Sequence, residues 1–390
     1  VNNSIYRRDF LAGSLASLAA GPLLGKPGPA SPRPIYRTLG KTGLSLPVVS
    51  MGVMNADLPG VVRRAYEVGM RHFDTAAVYR QGRNEELLGG VIKELGVRDK
   101  VIIATKALVP EVRRGLTAAQ ARDRLISIFE GSLRRLQTDY ADILYFHAAL
   151  NAEDVRSEGV LEAFAQLKKQ GKARFVGLSP HDKIVEAINE TTRLGVHDVI
   201  LVTINYTMKD DRPLLDALDN AARKGIGIIA MKTQAGGRVK PEDQKKLPLC
   251  SQTALLKWVL RNPAITTAVP GFATYEHLEQ DWSVAFDLAY TKEEEAFLAD
   301  KTYLSNAQFC RQCSECIPSC PQRAEIPTLM RTHMYATRYG NEEHARQTLA
   351  GILPGKGLDA CNLCDVCTAS CRRGAVDIRR NIVQLQAFAA

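Results

Sequence analysis

The chain reads Val101-Ile102-Ile103-Ala104-Thr105-Lys106, then apolar residues at helical spacing from Ala118 to Leu136, then Asp142-Ile143-Leu144-Tyr145-Phe146-His147. The two short runs are rich in β-branched and aromatic residues, whereas the segment between them carries a 3.6-residue period. Strand, crossover helix and strand make a βαβ unit, so the two strands run parallel. Both end on a titratable residue, Lys106 and His147.

The alternation continues in both directions. Further apolar runs lie at 48–53, 72–74, 174–178, 199–204, 227–231 and 266–269, and helical periods fill the gaps at 61–68, 84–95, 159–170, 183–194, 214–223 and 252–260. Eight strands alternating with helices predict an α/β protein of the (β/α)8 TIM-barrel type over residues 35–300. A hairpin, 35–39 turning at Gly40-Lys41-Thr42-Gly43 into 44–48, is expected to close its bottom. From residue 301 to 390 the pattern changes to two cysteine blocks flanking a helical stretch, 326–349, which predicts a small α-helical unit built around metals.

With 45% hydrophobic and 24% charged residues the chain is globular, and no stretch is apolar enough to span a bilayer. The net charge of +9 comes from basic residues spread along the chain, without the aromatic-basic clustering of a nucleic-acid module. Residues 1–34 start with Arg7-Arg8-Asp9-Phe10-Leu11, continue through a mild Ala/Gly/Leu run and end in a Pro/Gly-rich stretch. That order reads as a twin-arginine signal peptide and linker, and implies export to the periplasm or cell envelope.

Eight of the nine cysteines form two blocks, Cys310-x2-Cys313-x2-Cys316-x3-Cys320-Pro321 and Cys361-x2-Cys364-x2-Cys367-x3-Cys371-Arg372. In this ferredoxin-type ligand run, three close cysteines grip one cubane and the fourth reaches the other. The expected 4Fe-4S clusters are therefore held by Cys310, Cys313, Cys316 and Cys371, and by Cys361, Cys364, Cys367 and Cys320. A tetrahedral zinc site does not call for the third cysteine of each run. Disulfides between near neighbours in tight turns are geometrically poor. Cys250, outside both blocks, reads as a partly buried thiol.

Active sites of such barrels lie where the strands end, and four residues stand out there: Asp74, Tyr79 five positions later, Lys106 and His147. A phenol titrates too high to exchange protons near neutrality, so an ammonium at Lys106 is expected to lower it. Asp74 would orient that ammonium, and His147 would hydrogen-bond a carbonyl.

Around these residues the sequence resembles the aldo-keto reductase family. The likeness rests on Asp74-Thr75-Ala76-Ala77-Val78-Tyr79, on Gly82-Arg83-Asn84-Glu85-Glu86-Leu87-Leu88-Gly89, with Asn84 placed to cap the next helix, and on Gly171 to Ser179 and Val269-Pro270-Gly271. It implies a catalytic tetrad of Asp74, Tyr79, Lys106 and His147, cofactor positions at Ser179, Thr203, Lys232 and Gly271, and hydride exchange between NAD(P)H and a carbonyl. The cofactor positions depart from the family pattern. Pro180 replaces an Asn, Thr203 a Gln and Met231 a stacking aromatic, while Pro270 to Thr274 lacks the Lys-Ser grip on a 2′-phosphate and His277 stands where an Arg is common. Tight NADP preference is not implied.

Nicotinamide passes two electrons and a cubane one, and no flavin motif is present to convert between them. The leading expectation is an oxidoreductase acting on a small carbonyl or alcohol substrate, with Tyr79 as acid/base and the clusters serving an external redox partner. The alternatives are an electron-transfer protein whose barrel is a docking scaffold, and a non-catalytic binding module.

Overall fold

The computed structural model describes residues 33–235 and 247–390. Residues 1–32 of the expected export signal lie outside the described residues.

Eight parallel strands form the barrel: β1 (Met51–Gly52), β2 (His72–Asp74), β3 (Ile102–Ala107), β4 (Ala141–Ala149), β5 (Ala173–Pro180), β6 (Val199–Thr203), β7 (Gly227–Met231) and β8 (Thr267–Ala268). Each is hydrogen-bonded to its sequence neighbour, and parallel bridges Val49–Ala268 and Gly52–Gly271 join the last strand to the first. The run expected at 48–53 is thus a strand of two residues whose flanks serve to close the barrel. Helices follow the strands, each with its apolar stripe inward; Arg212–Arg223, for example, buries Leu214, Ala217, Leu218 and Ala221.

The expected hairpin forms from Tyr36–Thr38 and Ser45–Pro47. Gly40 turns it against β7 with φ +49°, so close that a Cβ would meet the Gly225 oxygen at 2.4 Å. Leu39 and Leu46 are fully buried among Ala104, Ile143, Tyr145, Val199 and Ile229. Two such leucines contribute roughly 2 kcal/mol each by burial. The Arg37 guanidinium donates to the carbonyls of Leu260 (2.7 Å) and Ile265 (2.5 Å), which pins this floor to the neighbouring helix.

The C-terminal segment contains helices Ile326–Thr337, Glu342–Ala350, Leu358–Cys361 and Ile378–Ala389. Ile326, Leu329, Met330, Ile378, Ile382 and Leu385 form a small core with the cysteines around it. Helix Ile326–Thr337 is buried along nearly its whole length because its other face lies on the barrel mouth. Arg331 donates to the carbonyl of His181 (2.9 Å), Arg338 to that of Ala235 (3.3 Å) and Asn341 to the Asn55 side chain (3.3 Å), while Ser314 bonds Asp182. Among the described residues, no helix is long and apolar enough to cross a membrane.

Candidate active site and cysteine cages

The strand register brings the expected site residues to one rim. Asp74 closes β2 and Lys106 lies near the end of β3. His147 sits opposite Ser179, and Thr203 opposite Met231. A bulge between His147 and Ala149, with Ala148 at φ +59°, re-aims the end of β4 where His147 stands. Tyr79 begins a short 3-10 turn after β2, in which Arg80 and Gln81 are left-handed. Gly82, at φ +92°, leads that turn into helix Arg83–Leu95. Because the chain enters the helix through this left-handed run, Asn84 is not the cap expected from the sequence. It is buried and donates to the carbonyls of Val53 (2.8 Å) and Ala56 (3.2 Å), tying the helix to the loop after β1.

The Lys106 ammonium bonds the Asp74 carboxylate and donates to the Thr75 carbonyl at 2.6 Å. It stands over the face of the Tyr79 ring, 4.9 Å from the centroid, rather than on the hydroxyl. Here the structure corrects the expectation that Lys106 acidifies the phenol. Burial, followed by the negative charge of Asp74, raises the Tyr79 phenol well above its ordinary value. Burial also pushes Asp74 up and Lys106 down, each opposed by the charge of the other. The ammonium is compensated by its own carboxylate, so desolvation dominates at the phenol. Burial holds His147 well below the usual histidine range, hence neutral and fit to donate or accept one hydrogen bond.

Tyr79 is 8% exposed because the C-terminal segment covers the mouth. The His344 ring meets it edge-on at 5.5 Å and the His147 ring at 6.0 Å, and Tyr335 lies 4.5 Å from His344. These module residues were not found by sequence reasoning. Their signal is Arg331, Tyr335 and Tyr339 at four-residue spacing along and just past one helix, with His344 three residues after the N-cap Asn341.

Two cavities flank the tetrad. One, of 180 Å³, is lined by Gly52, Asp74, Tyr79, Lys232, Gly271 and His277, with Arg338 and Tyr339. The other, of 360 Å³, is lined by His147, His181, Arg331, Tyr335 and His344. Lys232 and Gly271 therefore share a wall with Asp74 and Tyr79, while Ser179 and Thr203 lie fully buried on the same rim with hydroxyls that have no partner. Ser179 and Thr203 line neither cavity, but unpartnered buried hydroxyls at the strand ends are groups that the amide of a nicotinamide could satisfy. Thr274, near the expected phosphate grip, instead caps the helix Tyr275–Ser283 by accepting from His277 N at 3.2 Å.

The cysteines also form two groups. Cys310, Cys313, Cys316 and Cys371 line one cavity, and Cys320, Cys361, Cys364 and Cys367 another, with all eight free of disulfides. Among the described residues no three His, Cys, Asp or Glu converge tightly enough for a single ion. A cubane binds each thiolate through a different iron, so it takes a wider cage than one ion does, and these two sets of four fit it.

The family model for the aldo/keto reductase family matches residues 52–255, and a 4Fe-4S dicluster domain model matches 309–375. The chain is 28% identical over 316 residues to L-glyceraldehyde 3-phosphate reductase of Escherichia coli, covering 66% of this chain and 90% of that protein. It is 29% identical over 287 residues to L-galactose dehydrogenase of Arabidopsis thaliana, covering 65% and 88%. In fold it is similar to an aldo-keto reductase from Bacillus halodurans in its holo form, with a TM-score of 0.56 at 22% identity, covering 72% of this chain and 99% of that one.

Proposed function

Because this chain belongs to the aldo/keto reductase family, we propose that it is an oxidoreductase of carbonyl or alcohol carbons in which Tyr79 is the acid/base and two 4Fe-4S clusters exchange electrons with an external carrier. One observation carries the reading: Tyr79 and His147 meet between the cavity lined by Lys232 and Gly271, two of the four expected cofactor positions, and the larger one beneath the module. Tyr79, protonated at neutral pH, donates its proton to a carbonyl oxygen in the reducing direction. Neutral His147 hydrogen-bonds that oxygen and fixes its angle. Lys106 and Asp74, locked together, hold a compensated dipole against the phenol ring.

A nicotinamide, when bound, supplies or accepts hydride; Ser179, Thr203, Lys232 and Gly271 are the residues that would hold it. Cys310, Cys313, Cys316 and Cys371 would ligate one cluster, and Cys320, Cys361, Cys364 and Cys367 the other. The twin-arginine pattern of residues 1–34 supports export of a folded, cluster-loaded chain.

Tyr79→Phe, assayed anaerobically on a panel of aldehydes and ketones, is expected to lower turnover by about a thousandfold while dithionite still reduces the clusters. Unchanged turnover would remove Tyr79 from the chemistry, and absence of any carbonyl turnover in the unmodified chain would favour an electron-transfer protein with a docking barrel.

A further inference from the structure

The larger mouth cavity is lined by a buried cation that no carboxylate among the described residues pairs with directly. Arg331, on the module helix Ile326–Thr337, is 5% exposed and lines this cavity beside His147, His181, Tyr335 and His344. Its guanidinium donates to the His181 carbonyl at 2.9 Å and to the Thr328 hydroxyl at 3.4 Å, and among the described residues no carboxylate pairs with it. Of the nearby acids, Asp74 binds Lys106, while Asp182 and Glu325 accept from the Ser314 and Thr328 hydroxyls; both lie near Arg331, whose charge acts on Asp182, but neither pairs with it directly. Arg113, also on this wall, is paired with Asp154 at 3.4 Å. From the wall of the smaller cavity the half-buried Lys232 brings its Nζ to 3.5 Å from His181 Nε2, with no carboxylate paired to it among the described residues.

A buried guanidinium lacking an anion is strongly unfavourable, so a protein that retains one has a partner for it. The remaining lining does not compete for that partner. Burial, with help from Lys232 and Arg331, lowers His344 to about 4 and His181 well below its ordinary range, so both rings are neutral. Among the described residues, Nδ1 of His147 is buried in this wall with no partner, while His344 is hydrogen-bonded to the Gln347 side chain. One unpartnered imidazole nitrogen and a guanidinium that spends only part of its five N–H donors, around 360 Å³, describe a polar ligand that carries negative charge.

We propose that the substrate carries an oxyanion group, a carboxylate or a phosphate, which Arg331 of the iron–sulfur module binds beside His181 while the reacting carbon lies at Tyr79 and His147. The planar fork of an arginine matches either oxyanion. The proposal rests on reading the site as a carbonyl oxidoreductase and adds its substrate class. It also gives the module a second task, since the residue that selects the substrate is not in the barrel.

The test uses the full cluster-loaded chain under anaerobic conditions and two matched probe pairs: pyruvate against methyl pyruvate, and glyceraldehyde 3-phosphate against glyceraldehyde. Binding is read by calorimetry. At least one charged probe is expected to bind about tenfold or more tightly than its neutral partner, as for a charge-assisted hydrogen bond, and the pair that shows it identifies the oxyanion. Arg331→Met should bring the two members of that pair to within about twofold, and Arg331→Lys should retain part of the difference. No preference in the unmodified protein overturns the proposal, as does a preference that survives Arg331→Met. Tyr79→Phe separates the two readings: it should leave the charge preference intact and remove turnover. Turnover that persists there sinks Tyr79 as the acid/base alone, whereas Tyr79-dependent turnover without charge preference sinks the oxyanion site alone.

Discussion

The two cysteine cages sit in unlike surroundings. Around Cys310, Cys313, Cys316 and Cys371 the chain is packed: Cys316 is buried, Gln312 is 1% exposed, and Ser314 bonds Asp182 on the loop after β5. Asp182 adjoins His181, which lines the substrate-side cavity. Around Cys320, Cys361, Cys364 and Cys367 the neighbours are open, with Leu363 73%, Val366 58% and Val383 60% exposed. Hydrogen bonds there stay within the module, from Thr368 and Ser370 to Ser319 and from Gln386 to Asn362. One cage is tied through Ser314 and Asp182 to the loop beside the larger mouth cavity, and the other lies in a surface with apolar patches. Under the proposed electron exchange the first would be the fixed end and the second the exchangeable one.

The largest break in that comparison should come from Cys316→Ser. Losing an inner ligand also loosens the loop that carries Ser314 and the helix that carries Arg331, so carbonyl turnover should fall by at least about a hundredfold. Iron and sulfide analysis alongside turnover checks it, and full turnover with depleted iron would show that the inner cage and the active site are independent. Cys364→Ser tests the opposite end. Turnover with a supplied nicotinamide reductant should stay within about threefold, because the site is remote, while reduction of the remaining cluster by an external carrier should fail.

Much of this asymmetry could be read in advance, and the part that could not has a physical cause. The barrel was legible because strand and helix periods are local, and the tetrad because strand ends converge in any such barrel. The cages were legible from spacing, since three cysteines in one tight run fix their own geometry. What stayed hidden was the cover. Arg331, Tyr335 and His344 reach Tyr79 only because helix Ile326–Thr337 turns one face to the module core and the other to the barrel, and no local pattern states which surface a buried helix will meet. The same cover explains the misjudged phenol. Acidification by Lys106 presumes a phenol at an open rim, whereas the module desolvates it and Asp74 spends the lysine charge.

A smaller effect sharpens the contrast through protons. Burial first, then Arg331 and Lys106, lowers the Lys232 ammonium from 10.5 to about 7, with Asp74 opposing. Below about pH 7 both folded and unfolded chains hold that proton and the folded state bears the full burial penalty; between about 7 and 10.5 the unfolded chain binds the extra proton, so this group makes stability rise with pH. Lys232→Met removes the penalty. Anaerobic thermal unfolding should show the variant a few degrees more stable than the parent at pH 6, with the gain shrinking toward pH 10. A gain independent of pH would mean that Lys232 binds its proton alike in the folded and unfolded chains, and a loss at pH 6 that it is paired. No such trend is expected from the arginines of the outer surface.

The smallest effect isolates the two regions most cleanly, because it matches one kind of bond in both places. Asn341 caps the helix Glu342–Ala350 by accepting from His344 N at 3.1 Å, and Asp377 caps Ile378–Ala389 by accepting from Arg380 N at 3.0 Å. Replacing either by Ala should cost about 1 kcal/mol of stability, measured by denaturant unfolding. The consequences for activity should differ. Asn341 also donates to Asn55 beside the cofactor-side cavity, and its helix carries the ring that rests on Tyr79, so its loss lets that ring shift and should lower turnover severalfold. Asp377 is exposed and its helix packs on the module core, so the same loss of stability should leave turnover unchanged. Equal effects of the two substitutions on turnover would mean that the module merely stabilises the fold; unequal effects would mean that its inner helices are part of the active site.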